Sequence, residues 1–277
     1  SVSELTHDQI TLDEIKSTLD EVQDIQRIIT RITYGNANPK DLVGLKQSLL
    51  VVPKLKKLLA SFKSKKIVTI KEINEATNVT KLIEESIKQE PPITIREGNI
   101  IKDGYNKELD ELREIAYSTK DWLQKFEQQE QKSTNIKSLK VKYNRVFGYF
   151  IEVTKSNLHL VPSHYTRKQT QANSERYITD ELKQKESLIL GAEDKIQNLE
   201  YDLYQSILKE ISLHTKTVQN IANIISELDC LVSFAECALQ KRYFKPDVTN
   251  DYNIMINDGR HPVVESIERG EFIENDV

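Results

Sequence analysis

The chain has 277 residues, a net charge of −4, 30% charged and 38% hydrophobic residues, a balance that suits a helix-rich protein with wide exposed faces. No apolar run approaches the roughly 20 residues that cross a bilayer, so no membrane partner is expected. The start, SVSELTHDQI, lacks the basic and apolar regions of a signal peptide. That start and the end GEFIENDV are expected to be cuts inside a longer cytoplasmic protein.

Ile10, Leu12, Ile15, Leu19, Val22, Ile25, Ile28, Ile29 and Ile32 recur at helical spacing and predict one helical face over 8–32. Asn38-Pro39 restarts a helix that runs toward Phe62, with a break or kink expected at Pro53. Lys63 to Lys66 form a short basic loop, and helical spacing resumes over about 70–87. ITIR, Glu97-Gly98-Asn99 and Ile100-Ile101 predict a small hairpin within 93–104. A strong helical stripe from Asn106 carries Leu109, Leu112, Ile115, Ala116, Leu123 and Phe126, then fades in the polar run EQQEQKST.

Residues 139–143 and 149–153 alternate as strands, joined by a Gly-containing turn at 144–148. One or two very long helices are expected over 174–244, where the only glycine is Gly191. The returning helix can pair with the outgoing one as an antiparallel coil that displays the β insert at its far tip. Strand character returns at Asn253 to Ile256, ahead of Asp258-Gly-Arg-His-Pro262. Cys230 and Cys237, seven apart, are expected as small buried hydrophobes about 10 Å apart, too far to bridge. The five histidines show no ligand spacing, so no metal site is expected.

The sequence contains no GxxxxGK[ST], GxSxG or HExxH motif, and its carboxylate runs read as solvated helix faces. Residues 137–170 hold seven basic residues (Lys137, Lys140, Lys142, Arg145, Lys155, Arg167 and Lys168) against the single acid Glu152. Such an electropositive hairpin in an acidic chain suits a polyanion, with binding that weakens as salt rises. A solvated charge run is the plain alternative. Asn144, Gln169, Thr170 and Asn173 add uncharged donors for phosphate oxygens. Tyr143, Phe147, Tyr149 and Phe150 either stack on bases or form the hairpin's own core.

The segments YNRVFGYFIEVTKSN (143–157), YTRKQT (165–170) and NSERYITDEL (173–182) resemble the clamp of the MutS family of DNA mismatch-recognition ATPases. PPITIREGNIIKDGYNKELDELRE (91–114) resembles the approach to that clamp, and ELDCLVSFAECA (227–238) and DGRHPVVE (258–265) the end of its levers and the first ATPase strand. The resemblance runs from about Ile15 to the C-terminus and implies a mainly α fold. Its parts are a long-helix lever bundle, an inserted small antiparallel β clamp, and the first β-strands of a truncated ATPase domain. The implied divisions are 1–119 for the core and first lever helices, 120–180 for the clamp, 181–246 for the returning levers and 247–277 for the start of the ATPase domain.

The resemblance further implies a homodimer around double-stranded DNA, with MutL as partner and ATP and Mg as cofactors of the parent protein. This chain is expected to hold no cofactor and no enzymatic activity of its own. Residues matching the family's backbone-contacting segments are Asn144, Arg145, Lys168, Thr170, Gln171 and Asn173, supported by Lys140, Lys142, Lys155 and Arg167. Phe272 matches a position near the adenine pocket. Relatives often carry Leu-Lys-Asn where this chain has Gln171-Ala172-Asn173; Arg145 is expected to compensate for the missing lysine. Rival expectations are a coiled-coil scaffold with a protein-binding β tip and an RNA-binding arm.

Overall fold

In the computed structural model, which describes residues 1–144, 146–267 and 273–277, the apolar stripe of 8–32 divides in two. After α1 (Val2–Leu5) come α2 (Gln9–Leu19) and α3 (Ile25–Thr33). Asp24 makes the break by accepting the Arg27 N–H at 2.9 Å, which caps a new helix inside the pattern. Helix α4 (Pro39–Leu58) starts on reciprocal Asn38–Asp41 bonds, both 2.9 Å. It continues through Pro53 rather than breaking there. Leu49, Val51, Val52 and Leu55 are buried around the proline, and that packing outweighs the one lost backbone bond.

Helices α5 (Lys65–Lys71) and α6 (Thr77–Ser86) replace the single helix expected over 70–87, separated by Ala76 at φ 48°. The hairpin expected within 93–104 is instead a short 3₁₀ turn, Ile95–Glu97. The Glu97 carboxylate accepts both the backbone N–H of Thr94 (3.3 Å) and its hydroxyl (2.5 Å), which closes the turn locally. Ile100 and Ile101 are buried, and Ile101 bridges to Ile87.

Helix α7 (Lys107–Thr134) runs on through the polar segment expected to fade. The strands are β1 (Lys140–Asn144), β2 (Gly148–Thr154), β3 (Thr166–Thr170) and β4 (Ser174–Ile178), in the antiparallel order β1-β2-β4-β3. Helix α8 (Asp180–Ser212) returns, and α9 (Thr215–Lys241) follows. The expected helical start at 174 is therefore displaced to 180, because 174–178 is the strand that joins the two hairpins. Within the larger unit, Ser1–Ala235, α7 and α8 pair antiparallel: Arg113 meets Glu200, and farther along Trp122 meets Lys185.

The two halves of α8 have separate surroundings. Its later half buries Tyr204, Ile207, Leu208 and Ile211, and the Tyr204 hydroxyl donates to the Ala37 carbonyl at 2.9 Å. Its first turns join a cluster of Phe126, Ile136, Leu139, Ile151, Val153, Tyr165, Tyr177 and Leu182. About 27 Å of helix separates Glu200 from Leu182. The sheet thus has its own core, packed on the ends of two helices whose other ends are fixed in the bundle.

The smaller unit, Glu236–Val277, holds the end of α9 and α10 (Pro262–Ile267). Asn253 to Ile256 forms no strand; Ile256 exchanges backbone bonds with Val277 (2.7 and 2.9 Å), and Gly259 with Asn275 (2.8 and 3.1 Å). Arg260 donates to the carbonyls of Lys241 and Arg242, at 3.1 and 2.9 Å, and pairs with Glu265 at 2.9 Å. Both cysteines are exposed, contrary to expectation: the buried stripe of α9 is Val218, Ile221, Ala222, Ile225, Leu228, Val232 and Ala235. Among the described residues no helix is long and apolar enough to cross a membrane.

Candidate nucleic-acid interface

Acids on and beside the sheet are bonded to donors. Glu127 of α7 accepts the Val141 N–H at 2.7 Å, and Glu186 of α8 accepts the Tyr149 N–H at 3.1 Å. Glu130 receives the Tyr165 hydroxyl, and Glu175 the Tyr177 hydroxyl at 2.6 Å. Burial, reinforced by these bonds, pushes the Tyr165 phenol well above the ordinary tyrosine value and the Tyr177 phenol up to about 12. Glu152 pairs with Lys142 at 2.7 Å, and Glu175 also lies 3.5 Å from Arg167. Each of these carboxylates is committed to a donor.

The expected site residues fall at two ends of the sheet. Lys140 pairs in register with Glu152, and Asn144 with Gly148, so β1 runs back from the end of α7 toward the β1–β2 turn. At that turn, Asn144 Oδ1 accepts the Val146 N–H at 2.8 Å and so closes the turn with its side chain. Lys168 donates to the Phe147 carbonyl at 3.0 Å. Arg145 and Phe272 lie outside the described residues.

The opposite end, where α7 finishes, collects the rest. The Lys155 N–H donates to the Asn173 carbonyl at 3.1 Å, and the Gln171 N–H to the Ser174 carbonyl at 2.9 Å. Gln171 Oε1 accepts from the Ser174 hydroxyl at 3.2 Å. Thr170 and Asn173 are exposed. Lys137, Lys140 and Lys155 are exposed here too, with no ion pair among the described residues. Between the ends, Lys142 and Arg167 are neutralised by their ion pairs.

The sequence reading passed over part of this end. Asn157 Nδ2 donates to Ser138 Oγ (2.9 Å) and Thr154 Oγ1 (3.2 Å), and Thr154 Oγ1 lies 3.2 Å from Ser156 Oγ. These hydroxyls adjoin Lys137 and Lys155 in sequence, and that adjacency was the available signal. A shallow groove of about 400 Å³, lined by Gln128, Gln131, Lys132, Asn135 and Lys137, continues the polar surface. The arrangement offers ammonium groups, hydroxyls and amides of the kind that suit phosphate oxygens. Of the four aromatics singled out, Phe150 is buried beneath Arg176, whose guanidinium lies 4.3 Å from the ring centroid; Tyr143 is 49% exposed at the other end.

The sequence holds no phosphate-binding glycine loop of the GxxxxGK[ST] type.

The profile described as MutS family domain IV matches residues 104–195, which span α7, the whole sheet and the first half of α8. The DNA mismatch repair protein MutS of Halothermothrix orenii is 46% identical over 278 residues, covering 100% of this chain and 31% of that protein. Those of Methanosarcina barkeri (45% over 282 residues) and Bacillus cytotoxicus (46% over 280) match 100% and 99% of this chain, and again 31% of their own length. The chain thus spans about a third of the curated relatives it matches, and it belongs to the MutS family.

Proposed function

We propose that this chain is the lever-and-clamp portion of a DNA mismatch-repair protein, and that its sheet grips duplex DNA by the sugar-phosphate backbone. The observation that carries this reading is that Glu127, Glu130, Glu152, Glu175 and Glu186 are each bonded to other donors, while Lys137, Lys140 and Lys155 face solvent at the end of the sheet without an ion pair among the described residues. Unpaired ammonium groups beside hydroxyl and amide donors bind phosphate and carry no base code. Mismatch reading belongs to segments outside this chain.

In the longer protein, two such clamps, one per subunit of a homodimer, close on the duplex. ATP and Mg act in an ATPase domain of which 247–277 is the start. The lever helices couple that domain to the clamp, and MutL is the downstream partner. The protein works in the cytoplasm at the nucleoid. This chain by itself catalyses no reaction.

A salt titration of binding to a short duplex, with hairpin RNA as competitor, tests the reading. The expected result is an affinity that falls linearly on a log–log plot and is the same for matched and mismatched duplexes. Salt-independent behaviour favours a protein-binding tip, and preferential competition by hairpin RNA favours an RNA arm; either overturns the proposal.

A further inference from the structure

The polar stretch of α7 has a use in the fold that its composition conceals. β1 is an edge strand, and its outward backbone groups would otherwise be left without partners. Glu127 takes the Val141 N–H at 2.7 Å, and Gln131, one turn later, donates to the Leu139 carbonyl at 2.7 Å. The helix side chains thus stand in for a further strand. On the other side, β4 pairs with β2 only over Ile151 to Thr154. Beyond that register, Glu186 of α8 takes the Tyr149 N–H at 3.1 Å. Glu186 lies so close to the chain that a Cβ added at Gly148 would sit 1.5 Å from its Oε1. Gly148 also has φ +71°, which favours glycine.

We infer that Glu127 and Glu186 are positioning residues that seat the β1–β2 hairpin between α7 and α8 and so fix where the terminal lysines point, an assignment that rests on the DNA reading above. One carboxylate comes from each helix, and each holds a different strand of the same hairpin. A shift of α8 along α7 therefore moves the Tyr149 anchor against the Val141 anchor and tilts the hairpin.

Charge and position predict opposite signs for the same substitution. Removing two carboxylates beside a polyanion raises its affinity if charge alone acts. Removing two anchors lowers it if position acts. Glutamine separates these, because its amide oxygen still accepts a backbone N–H while its charge is gone.

The experiment uses this chain with Glu127→Ala/Glu186→Ala, Glu127→Gln/Glu186→Gln, Gly148→Ala, and Glu181→Gln as an exposed charge control. Amide exchange at Val141 and Tyr149 is followed by NMR without DNA, and duplex affinity is measured at low salt. The alanine pair is expected to exchange about tenfold faster at both amides and to bind duplex about tenfold more weakly, the scale of one charged hydrogen bond. The glutamine pair retains protection and binds as well as wild type or better. Gly148→Ala, which alters no charge, follows the alanine pair at Tyr149 and in affinity. Unchanged exchange in the alanine pair overturns the inference, as does equal or tighter binding by it. If the wild-type chain fails to bind duplex at all, the DNA reading falls while the exchange measurement still decides the seat.

Discussion

Arg113 of α7 places its guanidinium 2.5 Å from the carboxylate of Glu200 on α8, which is only 1% exposed. The same guanidinium reaches the Ile101 carbonyl at 2.8 Å and Asp103 at 2.5 Å, while Glu200 also accepts the Asn99 N–H at 2.6 Å. The root of the lever pair is thus locked to the 98–103 turn. Removing Arg113 leaves the Glu200 carboxylate buried without its cation, whereas Arg113 without Glu200 keeps Asp103. Arg113→Ala should lower unfolding stability by about 3 kcal/mol, and Glu200→Ala by less. Replacing both by apolar residues should restore much of that loss. Urea unfolding of the four proteins in a double-mutant cycle measures it.

The tyrosines of the sheet make it sensitive to alkali. Tyr165 and Tyr177 hold their protons more tightly folded than unfolded, chiefly through burial and then through Glu130 and Glu175. Their contribution is fully present below the unfolded value of about 10 and is lost as the pH climbs from there toward the folded value. For Tyr177 that window runs from about 10, the ordinary tyrosine value, up to about 12. Absorbance at the phenolate band should therefore show late-titrating tyrosines that ionise together with loss of sheet structure. Tyr165→Phe should cost about 1–2 kcal/mol at neutral pH by stranding Glu130. It should also shrink the alkaline loss.

Cys230 and Cys237 should both react with a thiol reagent in native buffer, since neither is buried. Two equivalents of thiol released per chain without denaturant is the expected count. A need for denaturant would mean that α9 presents a different face.

Much of this was legible in the sequence, and the gaps have physical causes. Lys142 and Tyr149 announced a hairpin because alternation survives wherever one face is packed. The second hairpin escaped notice: β3 is short and exposed, and Arg167, Lys168 and Gln169 carry no apolar alternation. Asp24 and Ala76 split helices whose apolar spacing was continuous, because a cap or a left-handed residue interrupts backbone bonding without disturbing the side-chain pattern. The run Glu127 to Thr134 looked like a fading helix, yet its glutamates and glutamine bond the sheet. Charge identifies a solvated face only when no donor waits opposite, and sequence does not show the donor. The same limit separated the site residues: Lys142 and Arg167 resemble Lys140 and Lys155 in composition and differ in that their charged ends reach Glu152 and Glu175.

The salt dependence of duplex binding, compared between the wild-type chain and Lys137→Ala/Lys140→Ala/Lys155→Ala, tests the central claim most directly. Each lysine that neutralises a phosphate contributes about 0.9 to the log–log slope, so the triple variant should be shallower by about 2–3, equally for matched and mismatched duplexes. An unchanged slope, or a loss confined to one kind of duplex, would contradict a backbone grip at this end of the sheet.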